Sequence, residues 1–222
     1  MTDVDVRRPV PAWIWGGALL VATAVVPSLA GAGGPLREAG AAISWVSLVS
    51  FAAAMVVFAW GIRGEGSVVA RRPLGIVALC LVGIILPVVG LISSFVFVVD
   101  PADPSATPSW IGAAQVVNYA GYAAWGGAAL VAGVEVARAR VVPGRWRWAP
   151  LTALGVLALA FVGMQIVSVA VATSPDPTAT FALIAVWGAV SVLVPLALGG
   201  IALVLGARGR PAPATQVYPP AR

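Results

Sequence analysis

Long apolar runs alternate with short polar segments along this chain, and the alternation occurs six times. The apolar runs cover about 10–30, 41–62, 73–99, 110–134, 150–172 and 179–206. Each is long enough to cross a bilayer as an α-helix, which takes roughly 20 apolar residues. The pattern therefore predicts an all-α, polytopic membrane helix bundle with six transmembrane helices. It leaves residues 1–9 as a polar N-terminus and residues 207–222 as a disordered, proline-rich tail.

The amino-acid composition is that of a membrane protein and indicates a bacterial source. Hydrophobic residues make up 60% of the chain and charged residues only 9%, against about 25% charged residues in a soluble domain. Every basic residue is Arg, and Ala, Val and Gly are abundant. This usage is typical of GC-rich bacterial genomes, so we expect a bacterial plasma membrane protein. The net charge of +5 lies in short loops, where membrane lipid headgroups and not nucleic acid are the expected partners.

The arginines also predict the orientation of the bundle. With the N-terminus in the cytoplasm, twelve of the thirteen arginines face inward and only Arg37 faces outward. The positive-inside rule then gives an even number of spans and two cytoplasmic termini. A cleaved secretory signal is the alternative for the first segment, because Arg7 and Arg8 precede it and Ala30–Gly31–Ala32 has the A-x-A form. The even number of spans that the arginines predict argues against that alternative.

The fourth segment carries a face of uncharged polar side chains. At 100° per residue its polar members fall together, and Gly126, Ala129 and Gly133 continue the same face with small residues. Lipid tails accept no hydrogen bonds, so this face should point at protein or at a cavity. It is either a ligand-binding wall or an interhelical contact. The polar residues are Gln115, Asn118, Tyr119 and Tyr122.

Two short matches indicate an internal repeat. DPSAT at 103–107 recurs as DPTAT at 176–180, and GGAALVAG at 126–133 recurs as GGIALVLG at 199–206, both with an offset of 73 residues. Helices three and four are therefore predicted to be a copy of five and six, and helices one and two a more diverged third copy. The copies have the same orientation because each unit has two spans. The offset aligns the four polar residues with Gly188, Ser191, Val192 and Pro195.

Tryptophan and arginine side chains predict where the chain meets the headgroups. Indoles concentrate at the membrane–water boundary, and guanidinium groups bind phosphate there. The predicted interfacial anchors are Trp13, Trp15, Arg145, Trp146, Arg147 and Trp148.

The serines at positions 44, 47 and 50 of the second segment are a further polar feature. Their hydroxyls either bond backbone carbonyls or line a polar surface.

Several chemistries are excluded or disfavoured by what the chain lacks. There is no His, so His-ligated haem, a His-bound metal and His general-base catalysis are ruled out. No charged residue falls in the centre of a predicted span, which disfavours a proton-driven pump. The lone Cys80 forms no intrachain disulfide. No phosphate-binding, dinucleotide or zinc motif occurs, and we expect no cofactor, no metal and no enzyme activity.

Two functions remain as expectations. The first is a non-catalytic accessory or regulatory subunit of a bacterial membrane complex, which associates with another membrane protein or with itself through Gly/Ala-rich faces. The second is a transport component that binds a small neutral solute or lipid within the bundle, with the fourth helix as one wall.

Overall fold

Six α-helices account for most of the chain. The computed structural model describes residues 7–8, 10–31, 40–63, 65–96, 111–173 and 177–211. Within these ranges the helices are α1 (Pro11–Gly31), α2 (Gly40–Trp60), α3 (Pro73–Val96), α4 (Ile111–Ala139), α5 (Ala149–Thr173) and α6 (Pro177–Arg208). Each contains a segment long and apolar enough to cross a membrane. The prediction of an all-α, multi-pass membrane protein is thereby confirmed.

Two short terminal strands and two helix connections meet at one end of the bundle, which we call the basic end. They are β1 (Arg7–Arg8), β2 (Arg210–Pro211), the α2–α3 connection (61–72) and the α4–α5 connection (140–148), which contains a 3₁₀ helix at Gly144–Trp148. β1 and β2 pair antiparallel and join the two ends of the chain. Every arginine in the described ranges belongs to one of these segments or to the last turn of α4 or α6.

The predicted tail at 207–222 is therefore ordered at its start. α6 continues to Arg208, and Arg210–Pro211 pairs with the N-terminal strand. The backbone N–H of Val10 also donates to the carbonyl of Gly206 over 3.0 Å. These backbone bonds hold the first residues of the segment, which composition alone marks as unable to pack. Residues 212–222 lie outside the described part of the chain.

The helices pack in sequence order, and α6 returns to α1. The most extensive contacts join α1 to α6, α1 to α2 and α3 to α4, whereas α4 and α5 share the fewest of the neighbouring pairs. Ser47 of α2 donates to the carbonyl of Thr23 of α1 over 2.8 Å, and Ser44 bonds its own helix at Gly40. Both hydroxyls therefore bond to backbone carbonyls, as one of the two interpretations of these serines expected.

The apolar core lies toward the basic end and is built mainly by α1 to α4. α5 contributes no buried residue among the side chains described. A cleaved first segment would remove several core residues from the helix with the largest packed surface. Representative core residues are Trp13, Leu20, Ala54, Phe58, Leu79 and Val136.

Several sequence predictions fall outside the described residues. They include the first copy of the D-P-x-A-T match at 103–107, the first residue of its second copy (Asp176) and the outward-facing Arg37. The second pair of matched segments is helical in both copies, since 126–133 lies in α4 and 199–206 lies in α6.

Candidate functional site

The side of α4 that carries Tyr122 faces α5, and a neighbouring side faces α3. Gly121 lies so close to Val89 of α3 that an added Cβ would clash with a Val89 methyl. The next residue, Tyr122, has its ring 6.4 Å from the ring of Phe161 of α5. Successive residues of a helix point 100° apart. α3 and α5 therefore flank two adjacent sides of α4, and Tyr122 of the polar face lies on the side of α5.

Two contacts fix how α4 and α5 run past each other. Tyr122 meets Phe161, and about three turns further along Gly133 lies against Leu151. The helices are antiparallel, and the two pairs have nearly the same sum of residue numbers. This register places Asn118 at the depth of Gln165, so amide side chains from both helices lie at one level.

Between and beyond these contacts the two helices are loosely packed. A Cβ added at Gly126 or Gly127 would meet no atom within 4 Å. Tyr119 is 55% exposed and Tyr122 is 40% exposed, Gln115 is exposed and Asn118 is half-buried. Within the predicted face, Gly133 thus packs on α5, while the polar end remains largely uncovered. We call this polar region the α4–α5 seam: Gln115, Asn118, Tyr119, Tyr122, Phe161 and Gln165.

An aromatic row crosses three helices at the seam. The ring of Phe161 is 6.4 Å from the ring of Tyr122 on one side and 6.4 Å from the ring of Trp187 of α6 on the other. The second pair is edge-to-face, an arrangement that contributes about 0.5–1.5 kcal/mol beyond the burial of the rings. The row links α5 to both α4 and α6.

One predicted anchor is wrong. Trp13 is only 3% exposed, and its indole N–H donates to the carbonyl of Gly66 over 2.7 Å. The ring therefore packs in the core and ties α1 to the α2–α3 connection. Hydropathy could not reveal this, because a buried indole and a headgroup-level indole have the same local sequence.

The other predicted anchors are compatible with a headgroup position. Trp15 is 62% exposed, Trp146 38% and Trp148 49%. The guanidinium of Arg145 lies 5.2 Å from the Trp146 ring centre, and that of Arg147 lies 5.6 Å from the Trp148 ring centre. Each arginine stacks on the indole that follows it, so the GRWRW segment forms two cation–π pairs.

A buried carboxylate is the feature that the sequence analysis missed. α4 extends five residues past its predicted end at 134 and so includes Glu135, which is 5% exposed. Its two oxygens each lie 3.5 Å from a guanidinium nitrogen, one of Arg72 and one of Arg138. The spacing of Glu135 and Arg138, three residues apart, was the available signal for a longer helix.

Comparison with known proteins adds nothing to this geometry. The chain matches no protein-family model, no curated protein and no solved structure. Among the residues that the structure describes, no group of three His, Cys, Asp or Glu side chains is placed to hold a metal ion. Cys80 is half-buried in α3 and packs against the core.

Proposed function

We propose that this protein is a non-catalytic accessory or regulatory subunit of a bacterial membrane complex. Its α4–α5 seam would receive a transmembrane helix of another membrane protein. The observation that carries the proposal is the exposure of Gln115 and Tyr119 on a helix that otherwise has the composition of a membrane span. Within a bilayer such groups need a hydrogen-bonding partner, which lipid tails do not supply.

The packing of α5 supports a protein partner. None of the candidate span at Gly144–Val167, which covers most of α5, is buried within the monomer, although its mean hydropathy lies within the range of the other five spans. Glycines at 126 and 127 leave room on the α4 surface, and small residues are what allow membrane helices to approach closely. A partner helix that docks at the seam would bond the Gln115 amide and the Tyr119 hydroxyl and would also cover the apolar surface of α5.

The proposed orientation places the basic end in the cytoplasm. Eleven of the thirteen arginines lie in the described part of the chain, and all are at this end. The positive-inside rule assigns such an end to the cytoplasm. We therefore propose a bacterial plasma membrane location with both termini inside. Accessibility of single cysteines introduced at Arg63 and at Phe181, in a Cys80→Ala background, tests this assignment with an impermeant thiol reagent.

The hairpin repeat forms part of the proposal. The matched Gly-rich segments occupy the same position, near the end of an even-numbered helix, in α4 and α6. If α3–α4 and α5–α6 arose by duplication, the polar residues of the seam were gained on one copy only. The position equivalent to Asn118 is Ser191, whose hydroxyl bonds its own helix at Gly188. The specialised copy is then the one that carries a binding function.

The alternative function is a transport component that binds a small neutral solute or lipid in the bundle. The aromatic row favours it, because Tyr122, Phe161 and Trp187 present rings beside amide groups at one depth. Aromatic walls with a few polar groups are typical of small-molecule sites. Under this alternative the seam is a ligand wall and needs no second protein.

Native mass spectrometry of the protein purified gently from its own membrane separates the two functions. The subunit proposal expects a stoichiometric second protein, which is lost in an Asn118→Ala, Tyr122→Ala double variant. A small molecule retained by the monomer and lost in that variant would replace the proposal by the alternative. A Ser44→Ala, Trp45→Ala variant on α2 also removes one polar and one aromatic side chain, both exposed, and serves as the control. Bare protein with lipids alone contradicts both functions.

A further inference from the structure

The basic end contains a cavity of about 610 Å³. It lies between the α4–α5 connection, the end of α6 and the start of α1, so its walls come from three parts of the chain. Three of the lining residues are arginines and two are tryptophans. The residues used below are Arg140, Arg145, Arg208, Trp13, Trp146 and Leu205.

The positive charge of this cavity is not neutralised by the carboxylates that the structure describes. Glu135 already pairs with Arg72 and Arg138, and Glu65 is not part of the cavity wall. Arg140, Arg145 and Arg208 form no ion pair within the described ranges. Guanidinium groups that line one cavity without an acidic partner among the described residues are suited to bind an anion, and their planar donor pattern matches phosphate.

The backbone of the α4–α5 connection sets where Arg140 and Arg145 leave the chain. Arg140 has a positive φ of 50° and Gly144 a positive φ of 56°, so the chain reverses sharply at both ends of the short connection. Arg145 is then stacked on Trp146. A second cavity of about 390 Å³ lies on the other side of Arg140 and is lined by Arg138 and Arg147. The connection therefore directs basic side chains into two adjacent spaces that share one arginine.

The apolar part of the wall distinguishes a lipid from a free anion. Trp13, Trp146 and Leu205 line the same cavity as the arginines, and the end of α6 marks where a membrane span stops. Basic pockets between helices at this level are suited to anionic headgroups. We infer that the cavity binds the phosphodiester of an anionic phospholipid, with Arg140, Arg145 and Arg208 on the phosphate and the apolar wall along the glycerol region. This site is separate from the seam and does not depend on the proposed function.

The test titrates the detergent-purified protein with phosphatidylglycerol or phosphatidylcholine and counts bound lipid by native mass spectrometry. We expect one phosphatidylglycerol to bind well before phosphatidylcholine does. An Arg140→Gln, Arg145→Gln variant should bind phosphatidylglycerol roughly 25-fold more weakly, since each arginine near a headgroup contributes about a fivefold factor. Thermal unfolding of the lipid-free protein should be unchanged.

The matched control removes the same charge elsewhere at the basic end. Arg63 and Arg71 are exposed, have positive φ values of 52° and 56°, as Arg140 does, and line neither cavity. An Arg63→Gln, Arg71→Gln variant should keep the wild-type preference. Equal weakening in both variants would overturn the site in favour of diffuse charge attraction. Binding of millimolar inorganic phosphate that displaces no phosphatidylglycerol, or no preference between the two lipids, would also overturn it.

Discussion

Gly17 of α1 and Gly199 of α6 face each other across a helix contact in which backbone meets backbone. A Cβ added to either glycine would lie 2.7 Å from the backbone carbonyl oxygen of the other. No side chain can move aside to relieve such a contact, because the obstacle is backbone on both helices. The close approach of α1 and α6, which closes the bundle, therefore requires glycine at both positions.

Substitution at this contact should separate the helices. We predict that Gly17→Ala lowers the free energy of unfolding by about 1–3 kcal/mol, the usual cost of overpacking a tight interface. Thermal unfolding in detergent measures it. Gly200→Ala is the control, since a Cβ there meets no atom within 4 Å, and helix propensity should then leave stability equal or slightly higher. Equal destabilisation by both would contradict the contact.

Removal of the buried Glu135 carboxylate and removal of its two arginine partners should have unequal effects on stability. Glu135→Gln leaves Arg72 and Arg138, whose side chains are 47% and 68% exposed, free to be solvated, so we predict a loss of about 1 kcal/mol or less. An Arg72→Gln, Arg138→Gln variant leaves the carboxylate buried without a cation and should cost about 3 kcal/mol. Urea-induced unfolding of both variants compares them. A larger loss of stability for Glu135→Gln would mean that the attraction within the ion pairs, and not the burial of an unpaired charge, determines the effect.

The Trp13 indole should stabilise the folded protein through its hydrogen bond to the Gly66 carbonyl. Trp13→Phe keeps an aromatic ring in the core but removes the donor to the Gly66 carbonyl, which leaves an unsatisfied acceptor and should cost about 1–2 kcal/mol. Trp15→Phe changes an indole that is 62% exposed and should leave the melting temperature within a degree or so of wild type. If the two variants melt together, Trp13 acts only as an apolar residue.

The spans were predictable because hydropathy reports directly on membrane insertion, and six apolar runs became six helices. The end of α4 was misjudged because Glu135 looks like a loop residue until its partner Arg72, on the α2–α3 connection, is known. Trp13 was misassigned for the same reason, because its burial depends on the distant Gly66. The polar face of α4 was visible from helical periodicity. Its direction toward α5 was not, since periodicity does not tell which neighbour a face meets.

The basic cavity was also beyond sequence reasoning. Arg145 and Trp146 were predicted as anchors, but Arg208 is far from them in the chain and joins them only when α6 packs on α1. Charge counting places these arginines at one end of the bundle. Only the fold brings three of them to one cavity.

Photo-cross-linking in the native membrane tests the central claim, that the α4–α5 seam receives a second membrane protein. A photoreactive amino acid replaces Tyr119 in one variant and Val49 in the control. Val49 is 63% exposed on α2, and Tyr119 is 55% exposed in the seam. The account predicts one discrete protein adduct from position 119 and lipid adducts alone from position 49. Lipid adducts alone at both positions, or the same protein adduct from both, would contradict it.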